Sequence, residues 1–509
     1  MLTDSTALLV TMLVAPAAFA LVAAFSGRHH ARALGYGGAL AAGLGLLCAG
    51  ILAVQAGRGT PTTAVAGALV VSVDRLAAVL LILVFGVSAV VQLFGVRYLT
   101  GDRRAPWFTA GAALLTAASA GLVTAATLLS LAVSWTIAGV ALCLLLGMYW
   151  HLPAARDGVR RTATAFLIGD LALWAAVAMA TATWGSIDLR AFGTAELQGP
   201  LAPVIAALVV VAALSRSGQI PFHRWLPATL AAPTPVSAML HAGVINAGGI
   251  LLVRLAPLAS GELARGLTIA AGAATLTYGA VVMLVKPDVK GALAHSTTAQ
   301  MGFMILTCGL GLWAATIFHL VAHGFYKATL FLSSGSAIAE RRRAAARPPA
   351  AAMSRRRRVA TAITAAVMPA LALYAAVRTI PLPPGAHTAE HALLLFAWVT
   401  GTVATWGWLA RRRSITAAAA AMAVLLPVAV AYLGLVTSVG HFLGPALPAA
   451  APPTALAWLV VAGVAAVLAP LAVLRRLPDT ALHRAVYARA LSAGYVTPTL
   501  PAHLTGAQS

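Results

Sequence analysis

Residues 215–240 read SRSGQIPFHRWLPATLAAPTPVSAML, with Pro221, Pro227, Pro233 and Pro235 crowded together with Gly218 at what should be membrane depth. Proline donates no backbone N–H and its ring clashes with the preceding turn, so such a run breaks a helix. Lipid tolerates the freed backbone groups only where they line protein or a hydrated cavity. The stretch therefore predicts a broken helix with a re-entrant connection, marked by Pro221 and Pro235, inside a helical membrane bundle.

The rest of the chain agrees. Of 509 residues, 61% are hydrophobic and 9% charged, and the mean hydropathy is +0.91, which excludes a soluble domain with a single core. Apolar stretches recur from 6–26 to 454–474; at roughly 20 residues per crossing they predict an all-α polytopic membrane protein with about 15 transmembrane helices. The first stretch carries Asp4 in place of a basic flank and is too long for a signal peptide, so it is expected to be a retained helix. Cys48, Cys143 and Cys308 lie far apart within predicted spans and suggest neither a disulfide framework nor a metal site.

A net charge of +22 could point to nucleic acid, but the positions of the charges argue otherwise. Most of the lysines and arginines fall in alternate loops, including Arg103–Arg104, Arg160–Arg161, the run ERRRAAARPPAAAMSRRRR (340–358) and Arg411–Arg413. The positive-inside rule then puts the N-terminus outside and the C-terminus in the cytoplasm of a cell inner (plasma) membrane protein. The arginine run is read as a topology signal and lipid-headgroup anchor, with a partner-docking loop as the alternative.

A second proline, Pro369 in VMPALALYAAVRTIPLPPG (367–385), sits within a predicted span. Segments 106–257 and 266–410 each contain five spans with the break in the fourth, a pattern that predicts two inverted five-helix repeats, each with a broken helix. Flanking them would be N-terminal helices (1–105), C-terminal helices (411–475) and a cytoplasmic tail (476–509) in which TALHRAVYARALSAGYV forms a short interfacial helix.

With the loops set aside, few ionisable groups remain in the spans: Asp170, Arg216, His241, His295, His319, His323 and Lys327. A charge at mid-bilayer costs about 2.5–3.5 kcal/mol or more, so such groups usually face the bundle interior and serve function. Successive residues four apart on a helix turn by about 40° and rise by about 6 Å, which makes His319, His323 and Lys327 a file about 12 Å long on one face. A histidine and a desolvated lysine can exchange a proton without a large energy gap, so the file suits a proton relay. The plainer alternative is a set of interhelical hydrogen bonds. His241 is a structural donor or the relay element of the first half. Arg216 stays charged and can set the local potential but cannot shuttle protons. Asp170 either partners one of these bases or joins two helices, and the small residues of AHSTTAQMG are read as a close helix contact. No phosphate loop, dinucleotide fingerprint, CxxC or HExxH occurs, so neither an enzyme nor a bound cofactor or metal is expected.

Two stretches, RSGQIPFHRWLPATLAAPTPVSAMLHAG and VKGALAHSTTAQMGFMILTCGLGLWAATIFHLVAHGFYKATLFLSSGS, resemble the signature regions of the antiporter-like subunits of respiratory complex I and of Mrp-type cation/proton antiporters. The resemblance runs from about residue 74 to 336 and implies two inverted repeats around a proton-conducting polar axis. It carries a lysine onto Arg216, a histidine onto His241 and the His–His–Lys file onto His319, His323 and Lys327. The glutamate that follows tryptophan in the fifth helix of the family is Thr136 in SWTIAGVALC, and the lysine–acid motif of the second broken helix has no counterpart in 358–385. Within this superfamily, HAGVINAGGILLVRLAPL, the missing glutamate and the length look most like the DabB family. That resemblance implies a membrane subunit of an inorganic carbon accumulation system, coupling ion flow to a DabA-like, zinc-containing cytoplasmic subunit. The relay would then comprise His319, His323, Lys327 and His241, with His295 as a cytoplasmic-side point of proton uptake. The alternatives are a subunit of a complex I-like or Mrp-type assembly, and a purely structural membrane subunit.

Overall fold

A computed structural model describes residues 4–447 apart from 27–29, 190–196, 198, 346–353, 381–387 and 413, together with scattered positions of 455–466 and the segment 480–494. In chain order the elements are α1 (Asp4–Phe25), α2 (Ala31–Gly57), β1 (Thr62–Ala66), β2 (Leu69–Val73), α3 (Arg75–Tyr98), α4 (Ala105–Thr124), α5 (Leu128–Leu146), α6 (Pro153–Trp184), α7 (Ala202–Arg216), α8 (Thr234–Ala242), α9 (Ala247–Arg254) and α10 (Ala256–Ala259). They continue with α11 (Glu262–Val285), α12 (Val289–Gly309), α13 (Trp313–Leu332), α14 (Ser334–Ala345), α15 (Arg355–Thr379), α16 (Thr388–Arg411), α17 (Ile415–Leu443) and α18 (Ala481–Gly494).

The protein is an all-α, multi-pass membrane protein. Among the described residues, ten helices are long and apolar enough to cross a membrane, fewer than the predicted spans. Three of the missing spans have identifiable causes. Helix α7 has only 15 residues before the chain breaks, α12 carries the polar run His295–Thr298, and most of the predicted span 454–474 lies outside the described residues.

Helix starts follow local chemistry. Asp74 accepts from the Ala77 N–H at the start of α3, Thr127 from Ser130 at α5 and Asp288 from Gly291 at α12, each side chain satisfying an orphan amide of the first turn. Burial alone would raise the Asp74 carboxyl, but Arg254, in a bidentate pair with it, and the Ala77 amide bring it below the usual carboxylate value. Arg254 also donates to the Val123 carbonyl, so one cation ties α9 to the start of α3 and the end of α4. Strands β1 and β2 form an antiparallel hairpin, an addition to the expected all-helical fold. The Val70 carbonyl takes the Ala126 N–H and the Val70 N–H donates to Ser130 Oγ, which satisfies backbone at the turn from α4 to α5.

The break expected at 215–240 is present and extends further than expected. After α7 the chain runs without α-helix to α8, which opens with Pro235 in its first turn, and a second interruption at Gly243–Asn246 separates α8 from α9. Side chains and neighbouring helices take up the released backbone groups. Thr275 Oγ1 accepts from the Ile220 N–H beside Pro221 at 2.9 Å, Ser217 donates to the Ile245 carbonyl at 2.7 Å and Trp225 donates to the Ser215 carbonyl at 3.0 Å.

The corresponding break at Pro369 does not occur: α15 is continuous from Arg355 to Thr379 with Pro369 inside it. Trp398 Nε1 donates to the Ala366 carbonyl at 2.8 Å, next to the Ala365 carbonyl whose i+4 donor Pro369 removes.

The chain divides into two compact units. One comprises Met1–Gly311, His319–Ile338 and Pro448–Ser509, the other Leu312–Phe318 and Ala339–Leu447. In the second, α15, α16 and α17 pack around Ala372, Ala376, Ala429 and Leu433. Every ionisable residue singled out within the spans belongs to the first. There α11 and α12 approach closely: a methyl group at Gly302 would lie 2.3 Å from the Leu276 backbone nitrogen, the small-residue contact foreseen in AHSTTAQMG.

Candidate proton-transfer site

Arg216 ends α7 and is 1% exposed. Its guanidinium donates to Asp170 Oδ1 at 2.7 Å and to the Trp135 carbonyl at 3.2 Å. The Trp135 and Phe166 rings flank it, with centroids 4.5 and 4.1 Å away. Trp135 Nε1 also donates to Asp170 Oδ1, at 2.8 Å. Gly139 makes room, because a methyl group there would sit 2.9 Å from Nη1 and 3.0 Å from Nη2. Asp170 meets both readings, since from α6 it pairs with Arg216 of α7 and accepts from Trp135 of α5. Thr136, on α5, accepts from Trp174 Nε1 at 3.1 Å.

The second cluster converges on α12 from α8 and α13. Lys327 is fully buried, and its Nζ donates to Ser296 Oγ at 2.9 Å and to the Leu293 carbonyl at 3.4 Å. Thr297 Oγ1 donates to the same carbonyl at 3.0 Å and lies 3.0 Å from His241 Nδ1. Thr297 Oγ1 thus stands between the Leu293 carbonyl and the His241 ring, and a hydroxyl can accept from a ring N–H while donating to a carbonyl. The His241 ring stacks on Phe331 at 4.3 Å.

His319 and His323 stack with centroids 5.7 Å apart and an interplanar angle of 25°, and both are buried. Phe303 closes the far side of His319 at 4.9 Å. Neither ring nitrogen of His323 meets a hydrogen-bonding group among the described residues, a situation that buried polar atoms normally resolve with water.

The structure thus brings His241 and Lys327 to the same turn of α12, stacks His323 on His319, and pairs Arg216 with Asp170. His295, also fully buried, belongs to a further row: its ring meets Tyr278 edge-on at 6.0 Å, and Tyr278 meets His223 at 4.6 Å. Burial, then the adjacent Arg224, holds His223 below the ordinary histidine value. Tyr278 also donates to the Ala493 carbonyl of α18 at 3.0 Å.

Sequence reasoning missed Ser296 and Thr297, taken as packing residues, as well as His223 and Tyr278. No local signal marked the first two, because residues one and two positions after a buried histidine turn to other faces of the helix. His223 sat among prolines, where no periodicity assigns a face.

Residues 125–359 match the family described as NADH:quinone oxidoreductase/Mrp antiporter, TM. Over 279 residues the chain is 38% identical to a probable inorganic carbon transporter subunit DabB1 of Halothiobacillus neapolitanus, covering 53% of this chain and 50% of that one. It is 33% identical over 276 residues to NAD(P)H-quinone oxidoreductase chain 5 of a Synechocystis species, covering 52% and 40%. The chain therefore spans about half the length of the curated relatives it matches. Among solved structures, a chain of the Mrp complex from Dietzia sp. DQ12-45-1b superposes with a TM-score of 0.62 at 25% identity, covering 96% of this chain and 59% of that one. The segment that matches this family model, residues 125–359, is the one that carries all of these buried ionisable residues.

Proposed function

We propose that the chain is a proton- or cation-conducting membrane subunit of an inorganic carbon accumulation complex, without catalysis of its own, which couples the ion gradient to a cytoplasmic partner of the zinc-containing DabA type. The observation that carries this reading is Lys327. It is a fully buried amine whose described hydrogen bonds go to a hydroxyl and a carbonyl, with two stacked histidines one and two turns before it on the same helix. Such a group is expensive to keep in a membrane unless its charge is used. Ser296 can pass a proton because its hydroxyl both donates and accepts. The Leu293 carbonyl only accepts, so it positions Lys327 and Thr297 without conducting between them.

In this reading the protein lies in the cell inner membrane with its N-terminus outside and C-terminus inside, and 106–257 and 266–410 are its two repeats. The arginines of α14 and α15 then face the cytoplasm and anionic lipid headgroups. The likeness to quinone oxidoreductase subunits and to the Mrp complex favours one competing assignment, a subunit of a redox-linked or antiporter assembly. Affinity purification from native membranes separates the two: a zinc-containing soluble partner supports the first, and redox or antiporter subunits support the second.

The direct test is uncoupler-sensitive bicarbonate uptake by cells carrying Lys327→Ala at normal expression. Uptake is expected to fall to background. Full retention would refute the relay.

A further inference from the structure

Three helix ends meet at one edge of the first unit: the start of α2, the end of α3 and the start of α4. Between them lies a pocket of about 520 Å3 lined by His30, Arg32, Thr100, Asp102, Arg103 and Thr109, within the size range of small-ligand sites. Asp102 is the one acid of the lining, and both of its oxygens are engaged. Oδ1 accepts from the Arg104 N–H at 2.8 Å and Oδ2 from the Tyr149 hydroxyl at 2.5 Å. The guanidinium groups of Arg32 and Arg103 have no carboxylate partner among the described residues.

The backbone adds to this positive balance. The carbonyls that end α3 are taken up by its own turn: Gly95 accepts from the Leu99 N–H, Val96 from the Thr100 hydroxyl and Arg97 from the Thr100 N–H. The starts of α2 and α4 carry no side-chain cap, and Ala31, Ala33 and Ala105 of these first turns line the pocket. Their free amides and positive dipole ends therefore favour an anion there.

The surroundings indicate what carries the anion. Tyr36, Tyr98 and Trp107, adjacent in sequence to the lining residues Gly35, Leu99 and Phe108, are each about half exposed. Amphipathic rings of this kind gather where a membrane meets water. Beyond Tyr36 the exposed side of α2 continues as Leu40, Leu44, Leu47 and Ile51, at the spacing of one helix face. It forms an apolar track leading from the pocket along the membrane-spanning length of α2.

We propose that the pocket binds the phosphate headgroup of an anionic phospholipid, with Arg32 and Arg103 on its oxygens, the starts of α2 and α4 behind it and an acyl chain along α2. A guanidinium fork matches phosphate oxygens two at a time. One lipid bound in this way joins the ends of α2, α3 and α4.

The test is native mass spectrometry of the full chain released from detergent micelles with phosphatidylglycerol, phosphatidylcholine or inorganic phosphate at equal concentration. One phosphatidylglycerol is expected to bind in preference to phosphatidylcholine. Arg32→Gln/Arg103→Gln is expected to weaken it by about thirtyfold, the combined scale of two arginines at a lipid surface. Arg355→Gln/Arg356→Gln, an equal loss of charge on α15, should leave that affinity unchanged. All four side chains are exposed, so both variants should match the parent's thermal midpoint in phosphatidylcholine alone. Added phosphatidylglycerol should raise the midpoint of the parent and not that of Arg32→Gln/Arg103→Gln. Equal binding of the two lipids, or equal loss in both variants, would show a general basic surface and overturn the proposal. Binding of inorganic phosphate as tight as that of phosphatidylglycerol would make the occupant a free anion and overturn it as well.

Discussion

Arg216 and Lys327 are both buried cations in the same membrane unit, yet their surroundings are built on opposite lines. Arg216 has a carboxylate at 2.7 Å, a carbonyl and two flanking rings. Lys327 has a hydroxyl, a longer contact to a carbonyl, and no acid in an ion pair with it among the described residues. The guanidinium keeps its proton at any physiological pH and its fork is held by planar partners. The ammonium can release a proton, and histidines stand along its helix to receive one. The first site holds its charge in place, and in the proposed relay the second lets one move.

The largest break in this comparison comes from Asp170→Asn. Removing one partner of a buried pair leaves the other charge uncompensated, which costs about 3–5 kcal/mol. A large fall in thermal midpoint in detergent is expected. Adding Arg216→Gln removes the stranded charge and should recover most of the stability. If the single variant is as stable as the parent, the pair is not what holds α6 to α7.

Arg216→Lys sharpens the contrast by putting the mobile kind of cation into the fixed site. The ring contacts and one of the two hydrogen bonds are lost, a penalty of about 1–3 kcal/mol. Ion conduction should acquire a further pH-dependent step, read as a changed profile of proton flux in vesicles across a pH series. Gly139→Ala tests the same site sterically. Its added methyl group would sit 2.9 Å from Nη1, so the guanidinium must shift off its rings, and a loss of about 1–3 kcal/mol is expected in the same thermal assay.

How far the sequence revealed these sites follows from what each one depends on. The helical file was legible because i, i+4 spacing fixes a face without tertiary knowledge, and the broken helix was legible because proline acts locally. The Asp170–Arg216 pair was not, since Asp170 and Arg216 lie 46 residues apart and no local rule joins α6 to α7. The missing break at Pro369 failed for a related reason. Whether a proline interrupts a membrane helix depends on how neighbours pack against that stretch, where Trp398 of α16 bonds the Ala366 carbonyl. Ser296 and Thr297 were seen but assigned the wrong task, because small polar residues on a closely packed helix look alike until the opposing helices are placed.

The finest test concerns those two hydroxyls, which the comparison casts in different parts. Ser296 is the described hydroxyl bonded to Lys327, whereas Thr297 is the one set against His241 Nδ1. Ser296→Ala and Thr297→Val each remove one buried hydrogen bond, a loss of about 0.5–1.5 kcal/mol that should leave the fold intact. Their effects on proton flux should differ in kind. Without Ser296, Lys327 loses its relay partner and flux falls across the whole pH range. Without Thr297, His241 loses the hydroxyl at Nδ1 and flux falls only in part, because a water can take over the role of orienting the ring. Equal loss in both variants would mean that α12 serves the site as a scaffold alone, and the proton would then have to travel along the α13 face without leaving it.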